Sequence, residues 1–134
     1  MMLLKQSLRP SWLLIAMGLI AMPTQAGLAT VDKVSIKNGN TAEATYFYEQ
    51  NWRVFREEAL AKGYISGFRL LESADEQGQP TLLLITEYAD EAQYEGREAG
   101  FAAVMPANGT PKLLNSLMPR DFRAVESLGT FVFD

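Results

Sequence analysis

Apolar and polar residues alternate imperfectly in "ATVDKVSIKNG", around Val31, Val34 and Ile36. That period predicts a strand, ended by Asn38-Gly39. The pattern then changes to a helical one. Asn40 suits an N-cap and Glu43 stands three residues later, a capping-box spacing. Lys62-Gly63 closes the segment with a cation and a glycine. On a helical wheel Ala44, Tyr48, Phe55 and Ala59 share one line, flanked by Phe47, Asn51 and Trp52. Glu49, Gln50, Arg53 and Glu57 fall opposite, and Glu49–Arg53 and Arg53–Glu57 are i,i+4 ion pairs. An amphipathic helix packed on a flat layer is the expectation.

"YISGFRLLES" (64–73) and "TLLLITEY" (81–88) predict two strands joined by the polar loop "ADEQGQP". Both carry apolar residues on both faces: Leu82 and Leu84 point one way, Leu83 and Ile85 the other. A sheet covered on both sides accounts for this. Helices cover one face, and so short a chain leaves the other for a second copy. Asp90 and Gln93 repeat the capping-box spacing and start a second helix over "ADEAQYEGREAGFAAVM". It bears a small stripe (Ala92, Gly96, Ala99, Ala103) and a bulky one (Tyr94, Phe101, Met105), and either could face the sheet. Gly96 and Gly100 each weaken it by about 1 kcal/mol relative to alanine. "PANGTP" reads as a loop, "KLLNSLM" as a short helix before Pro119, and "AVESLGTFVF" as a last strand.

The first residues follow another logic. Lys5 and Arg9 precede an uncharged run from Ser11 to Met22, then Pro23 and the small-residue stretch up to Ala26. Positive end, short apolar core and small-residue cut make a secretory signal. The core is short of the roughly 20 residues of a membrane span; an uncleaved anchor is the alternative. The expected division is a signal peptide at 1–26 and one domain at 27–134, cut after Ala26 or, second, Ala29. The product is then periplasmic or secreted, with no membrane attachment after cleavage. Removing Lys5 and Arg9 takes two of the 12 basic residues and none of the 16 acidic ones. So acidic a chain is no nucleic-acid binder. Apolar content of 48% and charged content of 21% fit a folded domain. There is no cysteine and no histidine. This excludes disulfides, lipoprotein anchoring and the usual imidazole base, haem ligand or zinc ligand. No cofactor and no metal site is expected.

The element order β-α-β-β-α-β is the ferredoxin-like split βαβ pattern, an α+β fold with an antiparallel sheet. Together with "NWRVFREEALAKGYISGFRLLE…TLLLITEYAD", it makes residues 30–133 resemble the dimeric α+β barrel superfamily. Members often carry a tryptophan-bearing first helix, a lysine-glycine end and a hydrophobic second strand ending in an aromatic residue. The resemblance implies a homodimer closed face to face. The superfamily includes cofactor-free monooxygenases of the antibiotic-biosynthesis type, haem-degrading enzymes and isomerases. A pocket between helices and sheet would lie near Tyr48, Asn51, Trp52 and Phe55. Haem-handling branches commonly use histidine, absent from this chain.

Asn51 is polar on the inner side, so its amide suits a ligand carbonyl or a developing oxyanion. The ordinary alternative is an asparagine satisfied by backbone or water. Glu58, two turns on, is a base if buried and a solvated carboxylate otherwise. Tyr48 and Trp52 could stack on a flat ligand or fill a core. Tyr88 could donate into the pocket or be an edge tyrosine. Arg69 could pair with a carboxylate across the dimer or hold an acidic ligand. Glu91, Glu95 and Glu98 read as a solvated face. Three functions fit: a binding protein for a small, partly apolar molecule; a cofactor-free monooxygenase-like enzyme acting on an aromatic substrate; a structural or protein-binding module. Whether the chain is an enzyme is left open by these residues.

Overall fold

A computed structural model describes residues 26–105 and 109–134. The expected signal peptide, apart from Ala26, lies outside the described residues. The elements are β1 (Gly27–Ile36), α1 (Thr41–Phe47), a π-helical turn (Tyr48–Trp52), α2 (Arg53–Ala61), β2 (Gly67–Ala74), β3 (Pro80–Tyr88), α3 (Glu91–Glu95), α4 (Arg97–Val104), α5 (Pro119–Phe122) and β4 (Arg123–Phe133). The sheet order is β2-β3-β1-β4, with every neighbouring pair antiparallel. β1 and β2 therefore run parallel with β3 between them, which is the ferredoxin-like arrangement predicted from the element order.

Local chemistry fixes the boundaries. Gly63 has φ +78°, a left-handed residue that ends the first helix after Lys62. In the β2–β3 hairpin Asp75 Oδ1 accepts from Gln77 N (2.9 Å) and Gln79 N (2.8 Å), and Gly78 supplies positive φ. The second capping box forms: Asp90 Oδ1 accepts from Gln93 N (2.8 Å), and Gln93 Oε1 accepts from Ala89 N (2.7 Å).

Four expectations need correction. Asn40 stands at the N-cap position, but its side chain makes no capping bond; its Nδ2 donates to Asp121 O (3.2 Å) instead. β2 starts at Gly67 rather than Tyr64, because Tyr64 N still bonds Ala59 O (2.9 Å) at the helix end. The second helix breaks at Gly96 into α3 and α4. The last short helix starts at Pro119 instead of ending before it: Asn115 and Ser116 are left-handed, and proline suits the first helical turn. The stripes of the second helix are also resolved. Tyr94 and Phe101 pack inward with Val104, while Ala92, Ala99 and Ala103 are exposed. Met105, the third residue of the bulky stripe, is exposed as well.

Between helices and sheet lie two apolar clusters. Val34, Ile36, Tyr48, Leu82, Leu84 and Phe122 anchor the first, and Ala59, Ile65, Tyr88 and Val104 form the second. The π-helical turn changes which residues reach them. A wide turn holds more residues than an α-turn, so the inward line passes from Tyr48 to Trp52, Arg56 and Ala59. Phe55, predicted on that line, is displaced to its flank, and Arg56 takes the inward place.

The opposite face of the sheet carries Ala29, Val31, Leu71, Leu83, Ile85 and Phe131, as the strand registers require. Leu71 and Phe131 are 43% and 50% exposed. The two-faced apolar pattern of β3 is thus real: Leu82 and Leu84 are buried under the helices, and Leu83 and Ile85 look the other way.

Candidate functional site

Strand parity places Leu28, Thr30, Asp32, Val34 and Ile36 of β1, and Leu82, Leu84, Thr86 and Tyr88 of β3, under the helices. The ends of this floor are apolar and its middle is polar. Register aligns Thr86, Thr30 and Thr130 in one row across β3, β1 and β4. The adjacent row is Leu84, Asp32 and Ser127. A bulge opposite Val31/Asp32, with Gly129 at φ +114°, lets Ser127 and Thr130 share this face although they are three residues apart. Thr86 is buried, Thr30 and Asp32 are half-buried, and Ser127 and Thr130 are exposed. The polar band therefore runs from the interior to an open ledge along β4. One row further, Leu28 and Val132 border a cleft of about 430 Å³ against Asp90, Glu91 and Ala92 at the start of α3.

The hydroxyls are engaged from above. Arg56 Nε donates to Thr86 Oγ1 (3.0 Å). Tyr94 OH and Thr130 Oγ1 are 3.3 Å apart. The Tyr88 hydroxyl lies close to the Thr30 side chain. Three arginines stand along the band, each over aromatic rings. Arg56 lies 4.2 Å from the Phe101 centroid and 4.8 Å from that of Trp52. Arg97 lies 3.9 Å from Tyr94, and Arg123 lies 5.2 Å from Phe47. Arg123 Nη1 also donates to Tyr48 OH (2.7 Å).

Electrostatics follow from burial. Desolvation lowers the pKa of Arg56, opposed by Tyr88 and Asp32. Desolvation raises Tyr88 above the ordinary tyrosine value, opposed by Arg56, the nearby Thr30 side chain and Arg97. Tyr48 is raised by burial against the hydrogen bond and charge of Arg123, with Asp32 adding to the rise. Both phenols are therefore neutral hydrogen-bonding groups at neutral pH. Asp32 is the one carboxylate in the two polar rows, and its charge reaches both Arg56 and Tyr48.

Of the residues singled out in the sequence, Tyr48, Trp52 and Tyr88 gather on this inner side. The Trp52 ring meets Phe68 edge-on at 5.8 Å. Asn51 is 8% exposed and bonded to backbone: Nδ2 donates to Phe47 O (2.8 Å) and Lys112 O (2.9 Å), and Oδ1 accepts from Lys112 N (2.8 Å). Phe55 and Asn51 border a separate cleft of about 360 Å³ toward Met105 and Lys112. Glu58 is exposed and paired with Lys62 at 3.3 Å. Arg69 pairs at 3.1 Å with Glu87 of its own chain, on the open sheet face. Glu91, Glu95 and Glu98 are exposed. Among the described residues no group of three or more acidic side chains is placed to hold a metal ion. Sequence reasoning missed Asp32, Arg56, Thr86, Thr130 and Arg123. The detectable signal was parity: Thr30, Asp32 and Thr86 occupy the positions where Leu28, Val34 and Leu84 predict apolar neighbours.

No protein-family model matches the chain, and no curated protein matches it. Among solved structures it is similar to SnoaB, a cofactor-independent oxygenase from Streptomyces nogalater. Identity is 13% over 79% of this chain and 91% of that one, with a TM-score of 0.39. It is also similar to the protein SO0527 from Shewanella oneidensis, at 13% identity over 82% and 95% of the two chains, with a TM-score of 0.37. The fold assignment itself rests on strand order and register.

Proposed function

We propose that the protein binds a small, partly apolar molecule between its helices and its sheet, on the ledge beside Thr30, Asp32 and Thr130. The polar band carries this reading. A fold needing only a core would place apolar side chains at these positions, since desolvating hydroxyls, a carboxylate and a guanidinium is unfavourable. The cleft against Leu28 and Val132 offers room for an apolar portion, and its volume is that of ordinary ligand sites.

The working form is an exported homodimer. Its second copy would cover the open sheet face. Charges on that face already stand in opposite-sign pairs, Arg69 with Glu87 by ion pair and Lys33 opposite Glu126 by register. Burying them strands no lone charge. Native mass spectrometry of protein recovered from its own cell compartment tests these points together. The expected spectrum shows a dimer, each chain lacking residues 1–26, with a retained small molecule. Full-length monomers without ligand, unchanged by added extracts of that compartment, would overturn the reading.

A further inference from the structure

We infer that the molecule bound along the polar band is an organic anion, a small aromatic carboxylate bearing a hydroxyl group, with Arg56 at the interior end taking the carboxylate and Asp32, toward the ledge, the hydroxyl. This rests on the binding reading above and names the ligand class for that site.

The ion pairs stand away from the polar band. Among the described residues they are Arg53–Glu49 at 2.6 Å, Lys62–Glu58 at 3.3 Å and Arg69–Glu87 at 3.1 Å. All lie on outer surfaces of the helices and sheet. Arg56, Arg97 and Arg123, turned toward the polar band, have no carboxylate partner among the described residues. An acidic chain thus keeps three guanidinium groups around a single carboxylate, Asp32. The further carboxylates nearby, Asp90 and Glu91, border the adjoining cleft rather than the two polar rows.

Arg56 is the best placed of the three. Arg97 and Arg123 each spend Nη1, on Tyr94 O (3.0 Å) and on Tyr48 OH (2.7 Å). Among the described residues Arg56 spends only Nε, on Thr86. Arg56 is half-buried and no fully buried side-chain nitrogen lacks a partner among the described residues, so its two Nη groups keep some contact with solvent. Its Cζ stands over the rings of Phe101 and Trp52, which offer no acceptor for the Nη–H groups beyond their π faces. A guanidinium so placed suits a two-point bond to a planar carboxylate. The aromatic surroundings suit a flat ligand body. Asp32 disfavours a dianion such as a phosphate and accepts a hydrogen bond from a ligand hydroxyl.

The test is an NMR titration of the protein with 4-hydroxybenzoate, 4-hydroxybenzyl alcohol and benzoate, following the amides of Thr30, Thr86 and Thr130. The expected result is that 4-hydroxybenzoate binds at least tenfold more tightly than the neutral alcohol. Arg56→Gln should remove that preference, and Arg56→Lys should restore part of it. Asp32→Ala, which removes the acceptor and leaves Arg56 in place, should abolish the advantage of 4-hydroxybenzoate over benzoate. Equal affinity for acid and alcohol, or an acid preference that survives Arg56→Gln in a folded variant, overturns the anion assignment and leaves ledge binding standing. No shift with any of the three probes up to their solubility overturns both.

Discussion

Asn51 spends both ends of its side-chain amide on one residue, Lys112. Nδ2 donates to its carbonyl at 2.9 Å and Oδ1 accepts from its N–H at 2.8 Å. This is a peptide-like pairing, made by a side chain in place of a strand. It ties the π-helical turn to the segment after residue 108. A group used this way is committed to structure, and the ligand amide anticipated for Asn51 has no donor to spare: the third bond goes to Phe47 O.

Asn51→Ala is therefore expected to act on stability. Leaving the part-buried Lys112 pairing unmade should cost about 1–3 kcal/mol. Asn51→Asp should cost at least as much, because it sets a carboxylate oxygen against the carbonyls of Phe47 and Lys112. Denaturant midpoints measure the loss. Amide exchange at Lys112, faster in both variants, locates it. Unchanged exchange there would contradict the pairing.

Thr86→Val tests the interior end of the polar band. The swap keeps shape and removes the acceptor of Arg56 Nε in a residue only 2% exposed. The expected cost is about 1–3 kcal/mol, and Thr86→Ser should recover much of it, since it restores the hydroxyl. A Val variant as stable as wild type would mean that Arg56 finds another partner.

The two buried phenols predict an alkaline limb. Tyr48 and Tyr88 are held above the ordinary tyrosine pKa by burial. The unfolded chain releases those protons first, from about pH 10 upward. Their contribution is thus complete below that pH and is lost as pH climbs toward the folded-state values. Melting temperatures from pH 8 to 11.5 should fall at the upper end. The fall should be shallower in Tyr48→Phe and Tyr88→Phe, and shallowest in the double variant.

The fold was largely legible because strands and the first helix announce themselves by period and by punctuation. Gly63 and Asp90 do structurally what their positions suggest. The site was less legible, for two physical reasons. A π-helical turn is invisible to a wheel drawn at constant pitch, so Arg56 replaced Phe55 on the inner line. A bulge at Gly129 broke the parity of β4, so Ser127 and Thr130 did not read as neighbours. Asn51 was correctly seen as the odd polar residue of its helix. Its partner could not be seen, because the contact spans 61 positions and involves only the backbone of Lys112.

The open sheet face gives the last prediction. Phe131 is half-exposed at its centre-edge, beside Ala29, and Leu71 and Phe133 are exposed at 43% and 40%. Apolar side chains exposed on both edge strands of one sheet face suit a contact surface. Phe131→Glu would place an unpaired charge in a face-to-face dimer while leaving the helix-covered core untouched. Sedimentation at micromolar concentration should show a dimer for wild type and a folded monomer for Phe131→Glu. Leu60→Glu, on an exposed helix position away from this face, should remain dimeric. If Leu60→Glu dissociates and Phe131→Glu does not, the copies meet through their helices and the sheet face has some other cover.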